Sequence, residues 1–243
     1  MKTTRQELNG VLAALVIVCL ASVLFGQTGE IRPVTLGQPM PEFTLPKYQG
    51  GELTLSQLKG KNVMILFPRG LAGKDHWCHI CNYQYAELLE LEEKEHIRKK
   101  YDLEILYVLP YDKETVTAWI DAFPAQLADL ENWKNPGDAS QLDDRAKRRM
   151  DFAKAFFPKH FMFEKGKVPT PFPILVDGDR TVSKGLGLFT EEWSGSKIEQ
   201  NVSTVFLLDK EGIVRFKYFS QSTTDRPGFD YLLKFLDRMI LKK

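Results

Sequence analysis

Two cysteines separated by two residues are the side chains of this sequence best suited to chemistry. Cys78 and Cys81 lie in the segment His-Trp-Cys-His-Ile-Cys, which ends at residue 81. If a loop turns into a helix at Cys78, unpaired backbone N–H groups and the helix dipole stabilise its thiolate. Cys81 then lies about one helical turn further along, within reach of the first sulfur. The spacing therefore predicts a redox pair in which Cys78 attacks a substrate and Cys81 resolves the mixed disulfide.

Other interpretations of the pair fit the sequence less well. Haem attachment requires a histidine directly after the second cysteine, and Asn82 stands there. A structural zinc site needs four ligands, and the 4 histidines of the chain supply no second close pair. A structural disulfide, a zinc or copper chaperone of the cell envelope, and a binding module without enzymatic activity stay open as alternatives. For the redox pair itself we expect no metal and no cofactor.

Two neighbours of the cysteines have alternative interpretations. The ring of His79, between the two thiols, either favours the Cys78 thiolate and makes the pair more oxidising, or is an exposed helix residue. Trp77 either shields one face of the pair or is an ordinary core residue.

The first part of the sequence differs in composition from the rest. Lys2 and Arg5 precede an apolar run from Val11 to Phe25 that contains no charged residue. Such a run predicts an uncleaved anchor over residues about 11–26 or a cleaved secretory signal, and Cys19 would be the modified residue of a lipoprotein. All three predict export to the periplasmic side of the cell envelope, because the two basic residues hold the N-terminus inside.

The 243-residue length and a hydrophobic content of 43% predict one folded domain over residues 34–243, after a leader and linker over residues 1–33. A formal net charge of +1 gives no electrostatic basis for a nucleic-acid partner.

Hydrophobic patterning predicts an α/β fold around a parallel βαβ unit. The unit consists of a strand over 62–67, a helix over 78–100 and a strand over 103–109. The charged stretch 112–169 predicts a helical insertion. The remaining predicted elements are helices over 114–130 and 141–157 within the insertion, a strand over 172–176, a helix over 182–188, a hairpin over 202–209 and 213–219, and a helix over 227–241.

Several segments together carry a resemblance to a known family. The cysteine motif and the Phe-Pro-Arg-Gly that starts at Phe67 resemble the peroxiredoxin-like branch of the alkyl hydroperoxide reductase and thiol-specific antioxidant (redoxin) family. Four further segments resemble that family in the same order: 37–45, 171–177, 206–215 and 224–227. The resemblance implies a thioredoxin-like fold with a central mixed sheet flanked by helices. It also implies a thiol-dependent antioxidant enzyme that uses a peroxide or a protein disulfide and a thiol electron donor.

The resemblance also singles out supporting residues. Arg69 and Arg226 are candidates for stabilising a thiolate or polarising a peroxide, or are ordinary surface or ion-pair arginines. Asp75 stands three residues before Cys78, where peroxiredoxins place Thr or Ser. Ser203 stands before a late strand, where thioredoxin-type reductases place a cis-proline. Each of the two familiar mechanisms thus lacks one of its residues, so both substrate classes stay open.

Overall fold

A computed structural model describes residues 33–241 of the chain. The predicted leader lies outside this range, apart from its last residue, and its anchoring role stays a prediction. Within the described range no helix is both long enough and apolar enough to cross a membrane.

The strands are β1 (Thr44–Pro46), β2 (Glu52–Thr54), β3 (Asn62–Phe67), β4 (Leu71–Gly73), β5 (His76–Trp77), β6 (Leu103–Leu109), β7 (Ile174–Val176), β8 (Phe189–Thr190), β9 (Gln200–Asn201), β10 (Thr204–Leu208) and β11 (Val214–Phe219). The α-helices are α1 (His79–Glu95), α2 (Ile97–Lys100), α3 (Lys113–Asp121), α4 (Phe123–Lys134), α5 (Asp144–Phe156), α6 (Thr181–Gly185) and α7 (Phe229–Leu241).

A five-stranded mixed sheet forms the centre of the fold, in the order β11-β10-β3-β6-β7. Strands β3, β6 and β7 are parallel, whereas β10 is antiparallel to both β3 and β11. All six residues of β3 are buried, as expected for a continuous apolar run at the centre of a sheet. The predicted βαβ unit, the late hairpin and the α/β class with a mixed sheet are confirmed.

The two faces of the sheet form two hydrophobic cores because side chains alternate along a strand. Met64 and Leu66 of β3 point into a core that also contains Cys78, Cys81 and buried residues of α1, α3, α4 and α7. The other residues of β3 from position 63 onward face a second core built with the segment before β3 and with α6. Both cysteines therefore belong to the first core, on the face of the sheet that α1 covers.

The predicted helix over 78–100 is interrupted. It consists of α1 and α2, with His96 between them in the left-handed region at φ 50°. A histidine in this conformation cannot continue a right-handed helix, so α1 ends there.

The predicted insertion is helical, with different boundaries. The single helix expected over 114–130 is split into α3 and α4 at Ala122, and Pro124 lies in the first turn of α4. Proline is tolerated there because the first N–H groups of a helix have no partner within it. The helix expected over 141–157 is α5, which is preceded by a short 3-10 turn at Ala139–Gln141. Asp143 caps α5 by accepting the Ala146 N–H at 2.7 Å.

Candidate active site at the start of helix α1

The two cysteines lie where the loop after β5 becomes helix α1. Cys78 is the capping residue, and its Sγ accepts the backbone N–H of Cys81 at 3.3 Å. Both thiols are free, and the residues are only 3% and 2% exposed. The predicted loop-to-helix position of Cys78 is therefore confirmed, with both sulfurs within a single helical turn.

The loop before Cys78 is held by close packing. Gly70 adopts φ 78°, and a Cβ at this position would lie 2.5 Å from the ring of Tyr111. The Tyr111 hydroxyl accepts the Leu71 N–H at 2.9 Å, and the Gly70 carbonyl accepts the Cys78 N–H at 2.9 Å. Gly70 is thus required both for its positive φ and for the approach of Tyr111, and it fixes the backbone that leads into Cys78.

The pair of thiols shares one negative charge. Burial raises the pKa of Cys78 well above its ordinary value, and the hydrogen bond with Cys81 raises it further. Burial acts in the same direction on Cys81, but there it is outweighed. The Cys78 thiol, the charge of Arg226 and the backbone N–H groups of Gly70 and Arg69 lower the pKa of Cys81 to about 6. In the reduced protein the first charge therefore rests on Cys81, and Cys78 donates its proton toward it.

Of the two candidate arginines, Arg226 directs unpaired donors into the buried region. Its Nη1 donates to the Ser220 hydroxyl at 3.1 Å and to the carbonyls of Ser222 and Asp225. Its Nε and Nη2 are buried and make no hydrogen bond within the described residues. The charge of Arg226 lowers the pKa of both Cys78 and Cys81, although other contributions dominate at Cys78. Arg226 is therefore the guanidinium available to a charged sulfur.

Arg69 is buried as well, but its guanidinium is already occupied. Its Nε donates to Gln200 Oε1 at 2.6 Å, and its Nη2 donates to the Ala72 carbonyl at 3.2 Å. Its contribution to the thiols comes instead from its backbone N–H, which lowers the pKa of Cys81. Of the two roles considered for Arg69, thiolate stabilisation thus applies to the backbone, while the side chain positions the loop.

The remaining predicted residues divide between the buried site and the surface. Trp77 is buried in β5 and packs edge-on against Tyr111, with ring centroids 5.9 Å apart. Ser203 is buried and lines a small cavity together with Cys81. Asp75 is exposed in the turn between β4 and β5, at φ 55°, so its carboxylate lies outside the buried site. Within residues 33–241, no three His, Cys, Asp or Glu side chains are grouped so that they could bind a metal ion.

The interpretation of His79 as an exposed helix residue is wrong. The side chain is 7% exposed, and its Nε2 lies 3.4 Å from Asp129 Oδ2 of helix α4. Its ring lies 4.5 Å from that of Trp133 and 4.8 Å from that of His76. Burial, followed by the charge of His76, lowers the pKa of His79 against the opposing effect of Asp129. His79, which lies between the two cysteines, is thus in contact with the helical insertion.

Sequence reasoning missed Tyr107 as a residue of the site. Its side chain is 1% exposed, its hydroxyl has no hydrogen-bond partner among the described residues, and it lines the same small cavity as Cys81. Tyr107 lies within the apolar run of β6 and therefore reads as a core residue. The one available signal was a hydroxyl in an otherwise apolar strand.

Comparisons with known proteins agree with this geometry. Residues 36–134, which include both cysteines, match the sequence profile of the AhpC/TSA family. A mutant of peroxiredoxin 6 of Arenicola marina is 14% identical, with 86% of this chain and 74% of that chain covered and a TM-score of 0.56. The reduced 2-Cys peroxiredoxin of Plasmodium vivax is 16% identical, with 85% and 82% covered and a TM-score of 0.53. A search of curated protein sequences finds no match.

These matches confirm three of the sequence-based predictions. The fold is thioredoxin-like, as in the two peroxiredoxins. The resemblance to the AhpC/TSA family is confirmed over the segment that carries the cysteine motif. The activity that the family match supports is that of a thiol-dependent oxidoreductase.

Proposed function

We propose that this chain, with its AhpC/TSA-family segment, is a dithiol oxidoreductase in which Cys78 attacks the substrate and Cys81 resolves the product. The observation that carries the proposal is the hydrogen bond from the Cys81 N–H to Cys78 Sγ at the start of α1. The two sulfurs share one negative charge, and the unpaired Nε and Nη2 of Arg226 are available to stabilise it. This arrangement provides a nucleophile, a second thiol and a half-buried cation in one place.

The pair supplies its own proton for the first step. The proton on Cys78 passes to the Cys81 thiolate as the Cys78 sulfur attacks, so the nucleophile is generated without a separate base. Cys81 then holds a proton that it must give up before it can attack. The leaving group of the first step takes this proton, because it departs as an anion beside the pair.

A small hydroperoxide is the substrate that the burial favours. With both thiols at most 3% exposed, a small molecule reaches them more easily than a folded protein does. The Cys78 sulfur would take one peroxide oxygen as a sulfenic acid while the O–O bond breaks, and the leaving hydroxide or alkoxide would take the proton from Cys81. The Cys81 thiolate would then attack the sulfenic sulfur and release hydroxide, which the solvent buffer neutralises. The product is a Cys78–Cys81 disulfide, which a thiol donor must reduce.

Disulfide exchange is the second candidate, and the two-residue spacing of the cysteines favours it. Cys78 would attack one sulfur of a substrate disulfide, and the released thiolate would take the proton from Cys81. The Cys81 thiolate would then attack Cys78 and release the second substrate thiolate. The substrate is reduced by two electrons, and the protein ends in the same oxidised state as in the peroxide reaction.

One competition experiment separates the two substrates. Reduced protein carrying Cys19→Ala is mixed in parallel with hydrogen peroxide, an organic hydroperoxide and a small model disulfide, and loss of free thiol is timed. Peroxide consumption that is much faster than in a Cys78→Ser control supports the first candidate. Fast disulfide exchange with peroxide consumption at the control level removes it in favour of the second. No reaction with any of the three contradicts the whole proposal.

The order of attack has its own test. In Cys81→Ser, the adduct formed by Cys78 cannot be resolved, so a sulfenic acid or a mixed disulfide should accumulate at Cys78 and be found by peptide mass spectrometry. The matched variant Cys78→Ser should form no adduct at a comparable rate. Accumulation at Cys81 in that second variant would reverse the assigned roles.

We also propose that the domain is exported and acts on the periplasmic side of the cell envelope. The support is the apolar run that follows Lys2 and Arg5 in the sequence. The test is fractionation of cells that produce the full chain, with protease added to intact and to opened envelopes. Degradation only after the outer barrier is opened supports the proposal, and protection until the cytoplasm is released contradicts it.

A further inference from the structure

A small cavity that Cys81 helps to line is not used by the chemistry described above. Its volume is about 10 Å³, and its polar lining comes from Cys81, Tyr107, Gln84, Ser203 and Thr204. The rest of the lining is apolar. A space of this size holds one water molecule and no larger substrate.

Among the residues that line this cavity, Tyr107 carries a fully buried hydroxyl without a partner. The residue is 1% exposed, and the hydroxyl makes no hydrogen bond within residues 33–241. By contrast, the Gln84 amide donates to the Pro227 carbonyl at 3.4 Å, and the Thr204 hydroxyl donates to the Val202 carbonyl at 2.9 Å. A buried hydroxyl without a partner is unfavourable, so a phenylalanine at position 107 would serve the core better unless the hydroxyl has a use.

We infer that Tyr107 is a positioning residue for Cys81, acting through one water molecule in this cavity that links its hydroxyl to Cys81 Sγ. The inference rests on the proposed role of Cys81 as the resolving thiol. The hydroxyl donates to the water, and the water donates to the sulfur. Both bonds are strongest when Cys81 is a thiolate, which is the form that attacks Cys78.

The electrostatics of Tyr107 agree with a donor that keeps its proton. Burial raises the pKa of Tyr107 well above its ordinary value, and the charges of Tyr85 and Cys81 add to the effect. The phenol therefore stays neutral where Cys81 titrates and orients the water without entering the proton transfer. Leu66 of β3 lies opposite Tyr107 in the parallel register with β6, which places this hydroxyl on the face of the sheet that α1 covers.

The test compares two tyrosines whose rings are in contact. Tyr107→Phe and Tyr85→Phe each remove one hydroxyl, and the two ring centroids are 4.9 Å apart. The Tyr85 hydroxyl, however, donates to the Pro169 carbonyl at 2.9 Å, and Tyr85 does not line the cavity. Both changes are made in the full chain with Cys19→Ala and Cys78→Ser, so that Cys81 is the one cysteine titrated. The readouts are the pH profile of Cys81 alkylation and thermal melting.

The two variants should respond in opposite ways. Tyr107→Phe should raise the pKa of Cys81 by about one unit, so that the thiolate fraction at pH values below that pKa falls by about tenfold, while the melting temperature stays the same or rises. Tyr85→Phe should lower the melting temperature and leave the Cys81 profile unchanged. An unchanged profile in Tyr107→Phe, or the same shift in both variants, overturns the inference. Because no substrate is present, this outcome is distinct from failure of the proposed function, which would appear as absence of turnover in the Cys19→Ala parent.

Discussion

Helices α1 and α3 both begin with a capping side chain, and the two caps have different roles. At α3, the Asp112 carboxylate accepts the Thr115 N–H at 2.8 Å, and the residue is exposed. At α1, the sulfur of Cys78 accepts the Cys81 N–H at 3.3 Å, and the residue is buried. A carboxylate is a strong acceptor and a preferred cap, whereas a thiol is a weak one. Helix α1 thus begins with the poorer cap, at the place where the fold holds its reactive group.

The difference shows how this fold separates stability from reactivity. Asp112 interacts with the first turn of its own helix and has no part in the chemistry proposed for the thiols. The sulfurs of α1 are approached by groups from distant parts of the sequence, namely the backbone at Gly70 and the guanidinium of Arg226. Helix α1 can tolerate a weak cap because much of it is packed in the core, with Tyr85 and Leu88 at most 1% exposed.

The largest expected effect comes from replacing the reactive cap with a better structural one. Cys78→Ser keeps a side chain that accepts the Cys81 N–H, and serine is favoured at this position. We expect thiol-dependent turnover to fall to background, while the free energy of unfolding of the reduced protein stays the same or rises by up to about 1 kcal/mol. Turnover assays and urea unfolding check both parts. Retained turnover, or a clear loss of stability, would contradict the assignment of a reactive rather than a structural role to the Cys78 cap.

Removing the half-buried cation Arg226 should have the next largest effect. In the parent protein, alkylation of the pair should rise with pH through about 6, because a lowered pKa means that the thiolate is already present above that value. In Arg226→Gln the rise should move upward by roughly one pH unit, so that the thiolate fraction falls by about twofold near neutrality and by about tenfold at pH values below the parent's midpoint. The matched control is Arg215→Gln, since Arg215 is half-exposed and pairs with Asp209 on the late hairpin. Identical profiles for the two variants would contradict the role given to Arg226.

The structural cap should respond in the opposite way to Cys78. Asp112→Ala removes the acceptor for the Thr115 N–H, so thermal unfolding should begin at a lower temperature. The reduction potential of the cysteine pair should not change, because Asp112 is exposed and is not among the largest contributions to the pKa of either thiol. A shifted reduction potential would show that the two helix starts are coupled, and it would contradict the assignment of a purely structural role to the Asp112 cap.

The smallest expected effect concerns the contact between the insertion and the motif. Asp129→Asn removes the carboxylate that raises the pKa of His79, so this pKa should fall further. The Asp129 side chain is 50% exposed, so the free energy of unfolding should change by less than about 1 kcal/mol. NMR titration of the imidazole measures the first effect. An unchanged pKa for His79 would mean that the contact at 3.4 Å has no electrostatic role.

The sequence predicts the central strands well because their signal is local. Strands β3 and β6 are continuous apolar runs between turn residues, and both were predicted with their observed bounds. The break at His96 could not be predicted, since a positive φ at a residue other than glycine depends on its surroundings. The break before α4 did have a signal in Pro124, which marks a first turn more often than a helix interior.

The site is predictable as far as its chemistry is local. Cys78 and Cys81 follow from their spacing, and Arg226 follows from a resemblance in a short C-terminal segment. The partner of His79 is Asp129, which is fifty residues away along the chain, and no local sequence pattern predicts this contact. Tyr107 is hidden because its strand is buried on both faces, so one hydroxyl among apolar residues looks like core packing. Only tertiary structure shows that the hydroxyl lacks a partner and shares a cavity with Cys81.

The most direct test of the central claim is a redox titration of the full chain carrying Cys19→Ala in glutathione buffers, read by thiol labelling and peptide mass spectrometry. The account predicts a single two-electron transition to a Cys78–Cys81 disulfide, reversed by added thiol and absent from Cys78→Ser and Cys81→Ser. A midpoint of about −270 mV would indicate a reductant, and a midpoint of about −120 mV would indicate an oxidant. If both cysteines stay reduced across the range, or only stable glutathione adducts form, the two thiols are not a redox pair and the account is contradicted.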